Sequence, residues 1–239
     1  MPTALKAKTC VTAAVALLAL AAALPVAAAP ATVESTFDAE AEGWTMRDLF
    51  PPNAGGSAPD YLVSGLIGSS DVNPYNVFSA PTKFLGNLSA YAGGSLSFDL
   101  SDTVRDSDFF TAFYPTLVLR SGSTYLGWFG GPPGTSPTSF SAALASSGAW
   151  RKASPAFGPS DPLFSLPVST ADFASTLGAV DALYINADWK WTGAFGGAND
   201  YAELDNVRLT AAVPEPGSVV LLLAGLVGVA AVARRRRPT

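Results

Sequence analysis

A chain of 239 residues with no histidine and one cysteine excludes several classes of function at once. Ser-His-Asp and Cys-His catalysis and metal binding through imidazole all require histidine. Residues 32–212 hold 8 of the 14 basic and 18 of the 19 acidic residues, which is a net charge of −10. A segment this acidic repels nucleic acid and is compatible with contact to water, cations or neutral ligands. We therefore expect no nucleic-acid partner.

The first 31 residues predict a signal peptide that is removed on export. Two lysines precede an apolar block from Val11 to Leu24, and this segment contains no acidic residue. A basic start, an apolar core and small residues at a cleavage position are typical of secretion. Small-x-small spacing permits cleavage after Ala28 or Ala31, and the alternative is a permanent N-terminal anchor. Since Cys10 lies inside this segment, we expect a mature chain without thiols or disulfides.

Residues 32–211 predict one all-β domain, a jelly roll or β-sandwich. Short segments alternate apolar and polar residues with period two, separated by Gly, Pro, Ser and Asn clusters, which favours strands over long helices. The predicted strands are 95–100, 116–120 and 123–129 as a hairpin, 182–188, and 201–209.

Loops and one short helix complete the predicted domain. Proline and glycine in 51–59, 130–137 and 154–167 argue against regular strands there. Residues 169–177 predict a helix, with Ser169 or Thr170 as its N-cap and an acidic residue in its first turn.

The C-terminal residues 212–239 predict a membrane segment with a defined orientation. Val213 to Ser218 is followed by an apolar segment and then by Arg234, Arg235, Arg236 and Arg237. A transmembrane helix over 218–233 is about 24 Å long, which is short of a hydrocarbon core of about 30 Å. The arginines are expected to stay cytoplasmic, which places residues 32–211 outside and agrees with the signal peptide.

This tail resembles the PEP-CTERM sorting signal, which combines a Pro-Glu-Pro motif, one transmembrane helix and a short basic end. The resemblance implies that the membrane enzyme exosortase recognises Pro214, Glu215 and Pro216 and then releases or transfers the protein outside. Two prolines keep the motif extended and block helix propagation, so it stays readable at the membrane surface. The alternative is a plain tail anchor that is not cleaved.

The central domain resembles the laminin B domain, also called laminin type IV. The segments that carry the resemblance are Phe78–Asn87 and Tyr91–Leu100, with flanks at Phe37–Trp44 and Tyr201–Val207. They occur in the expected order and span most of 34–210. The resemblance implies a jelly-roll sandwich akin to carbohydrate-binding modules, without catalytic residues.

Two groups of acidic residues are candidates for binding a cation. Asp99, Asp102, Asp106 and Asp108 follow a predicted strand, but their spacing is not that of an EF-hand, and we interpret them as a solvated loop. Related jelly rolls often hold a structural calcium where the first and last strands meet. That resemblance would recruit Glu40 or Glu42 together with Asp205, although Asp205 could equally be an exposed residue at a strand end.

The five tryptophans are candidates for core packing or for stacking on sugar rings. We expect most of them to pack in the core. Trp189 and Trp191 are the exception, because they share one face of an extended strand and precede a glycine-rich loop, so we predict that they contact a ligand.

The sequence therefore predicts an exported, non-catalytic surface or matrix protein that interacts with extracellular polysaccharide or envelope components. Two alternatives stay open: a purely structural matrix protein without a specific ligand, and a secreted carbohydrate-active enzyme. The enzyme would need two carboxylates about 5–10 Å apart in a cleft. No spacing in the sequence marks such a pair.

Overall fold

A computed structural model of the chain describes residues 30–48, 61–63, 66–70, 76–102, 115–154, 164–187, 201–212 and 225. Pro30–Ala212 forms one compact unit, and Met1–Ala29 with Val213–Thr239 forms a second. The predicted signal peptide before residue 30 lies outside the described residues, as does the predicted span 218–233 apart from Gly225. In the described parts, no helix has the length and apolar character needed to span a membrane.

The described residues of the first unit form thirteen strands, one α-helix and two 3₁₀ turns. The strands are β1 (Val33–Ser35), β2 (Thr45–Asp48), β3 (Tyr61–Val63), β4 (Leu66–Ser70), β5 (Asn76–Ser79), β6 (Ser95–Asp102), β7 (Leu117–Ser121), β8 (Thr124–Trp128), β9 (Thr138–Ala143), β10 (Trp150–Ala153), β11 (Phe164–Pro167), β12 (Ala182–Asn186) and β13 (Tyr201–Thr210). The helix α1 is Thr170–Leu177, and the 3₁₀ turns are Thr82–Phe84 and Ser89–Tyr91.

The strands assemble into two antiparallel sheets. The six-stranded sheet has the order β3-β4-β13-β6-β9, and β1 also pairs with β13. The seven-stranded sheet has the order β11-β10-β8-β7-β12-β5-β2. The all-β prediction is confirmed as two antiparallel sheets, and the jelly-roll connectivity stays a prediction.

Period-two alternation places the core between the two sheets. In β6, Leu96, Phe98 and Leu100 are buried, whereas the residues between them are only half-buried. The seven-stranded sheet contributes residues such as Phe78 and Leu183 to the same cluster. Folding therefore buries the apolar side chains on the facing sides of both sheets, and this removal from water is the main favourable contribution to folding.

The predicted hairpin and helix are both found. Strands β7 and β8 pair in register across a turn in which Gly122 has φ +57°, a conformation that glycine adopts without strain. Helix α1 is capped by Ser169, whose side chain accepts a hydrogen bond from the Asp172 amide at 3.0 Å. This cap satisfies one of the amide groups that a helix start leaves unpaired.

Two loop predictions are wrong. Residues 154–167 were expected to contain no strand, yet 164–167 form β11. This strand lies at the edge of its sheet and has Pro167 as its last residue, a position where proline interrupts no ladder. Asp99 and Asp102 belong to β6 rather than to a solvated loop, and Asp102 is buried. Asp106 and Asp108 lie outside the described residues.

The chain passes very close to itself where β6 begins beside the end of β13. A β-carbon added at Gly94 would collide with the backbone of Thr210 and Ala211. Glycine at this position therefore allows the two strands to approach, which is why the Gly93-Gly94 pair precedes β6.

We predict that Gly94→Ala lowers the free energy of unfolding by about 1–3 kcal/mol, because the added methyl group overpacks this crossing. Gly148→Ala is the matched control, since nothing lies within 4 Å of its β-carbon position. The control is expected to change stability by less than about 0.5 kcal/mol. Urea denaturation of both variants measures the difference, and equal effects would contradict the steric explanation.

Candidate functional site

The turn between β1 and β2 is closed by an internal ion pair. Glu42 Oε1 accepts hydrogen bonds from the amides of Thr36 and Phe37, each at 2.9 Å. Lys83 Nζ pairs with Glu42 Oε2 and donates to the carbonyl of Glu34 at 2.7 Å. The turn thus has a fixed cation, because an ammonium group lies between a carboxylate and a backbone carbonyl.

Strained backbone and buried aromatic rings surround this ion pair. Phe37 and Glu42 have φ values of +52° and +49°, which are uncommon for residues other than glycine. Phe37 is fully buried and packs edge-on against Trp44, whose Nε1 donates to Ser35 Oγ at 3.0 Å. These contacts hold the strained turn in place, so the carboxylate stays aimed at the two amides.

The same contacts set the pKa of the Glu42 carboxyl. Burial alone would raise the pKa, but the hydrogen bond from Lys83 and those from the Phe37 and Thr36 amides outweigh it and lower the pKa below its usual value. Because the folded-state pKa is depressed, this carboxylate stabilises the fold above its unfolded pKa. That contribution is lost as the pH falls through the folded-state pKa.

The calcium prediction for Glu40 or Glu42 with Asp205 stays a prediction. Among the described residues, no group of three acidic side chains is placed to hold a metal ion. Glu42 is hydrogen-bonded to Lys83 and two amides, and Glu40 is exposed. Calcium needs six to eight oxygen ligands, and Lys83 already neutralises the Glu42 carboxylate.

Asp205 belongs instead to a polar group on the outer face of the six-stranded sheet. The Asn206 side-chain amide donates to Asp99 Oδ2 at 2.9 Å and to Asp205 Oδ2 at 3.0 Å. Asn206 has φ +52° and lies where the register between β13 and β6 shifts. Burial raises the pKa of Asp205, the hydrogen bond from the Asn206 backbone amide opposes this, and the charges of Asp99 and Asp38 raise the pKa further.

A second, smaller apolar cluster lies on the outer face of the seven-stranded sheet. Five buried residues form it, and Tyr125, Phe129 and Ala153 pack against them; the five are Val77, Val118, Phe164, Ala182 and Tyr184. Phe129 and Phe164 make an edge-to-face contact with ring centroids 6.4 Å apart. These apolar and aromatic side chains are therefore buried against one another and form a second core on this side of the sheet.

Arg47 lies on the same outer face, at the edge formed by β2. Because Arg47 follows the core residue Met46 in the strand, it lies on the opposite face of the sheet. In the ladder Arg47 pairs with Val77, and Val77 pairs with Asn186 on its other side. The Arg47 Nε is buried and has no hydrogen-bond partner among the described residues. A buried donor without a partner costs free energy that a ligand oxygen would recover.

The predicted ligand contacts Trp189 and Trp191 lie outside the described residues. The preceding strand β12 ends at Asn186, and the next residue, Ala187, donates its amide to the Asn76 carbonyl at 2.9 Å. Trp44 and Trp150 are buried in the core, as expected, and Trp128 is partly buried against it. The assignment of Trp189 and Trp191 stays a prediction.

The sorting residues Pro214, Glu215 and Pro216 and the arginines 234–237 also lie outside the described residues. The compact domain ends at Ala212, two residues before this motif begins. The boundary at 211/212 expected from the sequence stays a prediction.

The sequence reasoning missed two basic side chains, Lys83 and Arg47. Both belong to a domain with only eight basic residues against eighteen acidic ones. Their rarity alone could have marked them in the sequence as candidates for an ion pair or a binding site. Their partners could not be read from the sequence, because Lys83 is 41 residues from Glu42.

Two antiparallel sheets that face each other across a shared core define a β-sandwich domain. Residues 77–224 match the family Laminin B (Domain IV), and residues 212–237 match the PEP-CTERM protein-sorting motif. The chain therefore belongs to the Laminin B (Domain IV) family and carries a PEP-CTERM sorting motif. The family match begins at β5, so the segment Phe37–Trp44, which also suggested the resemblance, lies before it.

The fold is similar to that of the L4b domain of human laminin alpha-2. The two chains share 14% sequence identity with a TM-score of 0.58, over 79% of this chain and all of that domain. At this identity the likeness concerns the fold alone. Among curated proteins, none matches this chain.

We predict that Lys83→Met lowers the free energy of unfolding by about 1 kcal/mol at neutral pH, because it leaves the Glu42 carboxylate without its cation. Lys152→Met is the control, since Lys152 pairs near the start of α1 with Asp172, whose side chain is more exposed than that of Glu42, and its loss should have the smaller effect on stability. Thermal unfolding of both variants at pH 7 measures this.

The same experiment tests the calcium prediction. Because Lys83 already neutralises Glu42, we expect the midpoint of unfolding of the unmodified protein to be the same with calcium and with a chelator. A calcium-dependent rise in that midpoint would show that these carboxylates rearrange around the ion. The Lys83 contribution should also fade as the pH falls through the lowered pKa of Glu42.

Proposed function

We propose that this protein is exported, sorted by exosortase to the cell surface or extracellular matrix, and acts there through a non-catalytic domain that binds exopolysaccharide. The sorting motif at 212–237 implies extracellular sorting, and the laminin B domain is the part that is delivered.

The position of the domain boundary supports the sorting part of the proposal. The compact unit ends at Ala212, and the sorting motif match begins at the same residue. A processing enzyme needs an extended, accessible substrate, and Pro214 and Pro216 favour extended backbone immediately after the domain. Cleavage there would leave the folded domain intact.

Intact mass spectrometry of secreted and membrane fractions tests sorting in a host that has exosortase. We predict that the unmodified protein loses residues beyond the Pro-Glu-Pro region. Pro216→Ala should instead keep the full tail in the membrane fraction, because alanine allows the following helix to extend into the motif. Pro167→Ala, a proline of the exposed edge strand β11, is the control and should be processed normally. A full-length membrane product from the unmodified protein would contradict the proposal.

Arg47 carries the ligand-binding part of the proposal. Its buried Nε has no hydrogen-bond partner in the described part of the chain, and it lies beside an apolar and aromatic sheet face. A guanidinium group donates to hydroxyl and carboxylate oxygens, which are the polar groups of polysaccharides. Strand β12, which lies in the same sheet as Arg47, ends at Asn186, only a few residues before Trp189 and Trp191, the predicted stacking residues.

Retention on immobilised polysaccharides tests this part. A panel of neutral and acidic polysaccharides should retain residues 30–212, and Arg47→Met should weaken retention by about tenfold, since a hydrogen bond to a charged group contributes about 1.5 kcal/mol. Arg208→Met is the matched control, because Arg208 lies on the other sheet and forms only an exposed pair with Glu34 at 3.5 Å. Retention by no polysaccharide, or equal loss in both variants, would contradict ligand binding at this face.

The alternative function is a structural matrix protein without a specific ligand. Strand β9, which is uncharged and is the last described strand of the six-stranded sheet, favours it, because such an edge can pair with another copy of the domain. Deletion of the domain with both terminal signals kept would then weaken matrix cohesion, and soluble polysaccharide would not compete.

A further inference from the structure

Most sheet edges in the described residues carry a feature that opposes pairing with another chain. Strand β3 has three residues, and β1, which pairs with only part of β13, also has three. Strand β2 includes Arg47 and Asp48, and β11 ends in Pro167 beside a register shift. Short length, charge, proline and irregular register are the usual protections of an edge strand.

Strand β9 is the exception. It has the sequence Thr-Ser-Phe-Ser-Ala-Ala, so its six residues include no charge, proline or glycine. It pairs with β6 over all six residues without a register shift. It is the last strand of its sheet, so no described strand pairs with its other side. An uncharged, regular edge of this length is a template for strand addition.

The packing beneath β9 keeps this edge in place. Phe140 stacks on Phe98 with ring centroids 5.4 Å apart and meets the edge of Trp128 at 6.4 Å. Ala142 is fully buried between these elements. Because the strand is already ordered, a partner that pairs with it has little ordering entropy to overcome.

The register shows which backbone groups face outward. Leu144 N–H donates to the Gly94 carbonyl at 2.9 Å, and every second residue of an antiparallel ladder repeats this pairing. Ser139, Ser141 and Ala143 therefore direct their backbone groups away from β6. The Ala143 carbonyl accepts from Trp150 Nε1 at 2.9 Å, whereas the outward groups of Ser139 and Ser141 have no partner among the described residues.

We propose that β9 is a self-association edge, at which two copies of this chain pair antiparallel about Ser141 and continue the six-stranded sheet across the pair. In this register Ser141 lies opposite Ser141, and Ser139 lies opposite Ala143. All of these side chains are small, exposed and uncharged, so they meet without steric or electrostatic conflict.

The uncharged side chains of β9 favour a second copy over a charged partner. The net charge of −10 on residues 32–212 opposes the approach of two copies, but none of that charge lies on β9 itself. A basic partner would find the carboxylate of Asp99 one strand inward and already hydrogen-bonded to Ser139. A second copy brings a neutral strand to a neutral strand. The inference depends on the described sheet alone and not on polysaccharide binding.

Sedimentation of the full chain with Cys10→Ser, in one detergent throughout, tests the proposal. The unmodified edge should give a concentration-dependent dimer. Ser141→Lys should raise the dissociation constant at least about tenfold, because it places two ammonium groups opposite each other. Ser97→Lys is the matched control, since Ser97 pairs with Ser141 one strand inward and carries the same charge change. The control should dimerise like the unmodified chain.

Disulfide cross-linking in the same background provides a second readout that a folding defect cannot mimic. Opposed Ser141→Cys residues would have α-carbons about 5.5 Å apart, which is within disulfide reach. Two Ser97→Cys residues would be three strand spacings apart, about 14 Å, and should not cross-link. A monomer at all concentrations, equal effects of the two lysine variants, or equal cross-linking of the two cysteine variants would overturn the proposal.

Discussion

The pairing of β13 is the interaction on which the domain depends. This ten-residue strand pairs with β6 along one side and with β4 and β1 along the other. As the last strand, β13 therefore pairs directly with β1, the first strand. Its inward residues Leu204, Val207 and Leu209 are buried in the main core. Gly94 permits the close approach at the end of this pairing, and the turn after β1 is closed by Glu42 and Lys83.

The Glu42–Lys83 pair shows how the chain fixes a strained turn without an external ligand. The carboxylate binds two amides through one oxygen and an ammonium group through the other. A cation carried on the same chain is always present, whereas a bound ion depends on its concentration. The Lys83 ammonium group therefore neutralises Glu42 whatever the concentration of cations in the medium.

Local patterns predicted the strands and the helix well, because alternation and capping are read within a few residues. The hairpin β7–β8, the α1 cap at Ser169 and the inward face of β6 were all foreseen in this way. Strand β11 was missed because proline argues against strands unless the strand is known to lie at an edge, which only the assembled sheet reveals. The partner of Lys83 and the unpaired Nε of Arg47 depend on contacts between distant segments. For Trp189, Trp191 and the sorting residues, the sequence remains the source of the assignment.

The position of β13 next to the tail has a mechanical consequence. The strand ends at Thr210, so tension applied through the tail reaches a strand flanked on both sides by neighbours rather than a free edge. A pull along the strand axis loads its backbone hydrogen bonds in shear, many at once, whereas a pull on an edge strand would open them one after another. A domain pulled from its C-terminus along the strand axis is thereby loaded along its strongest direction.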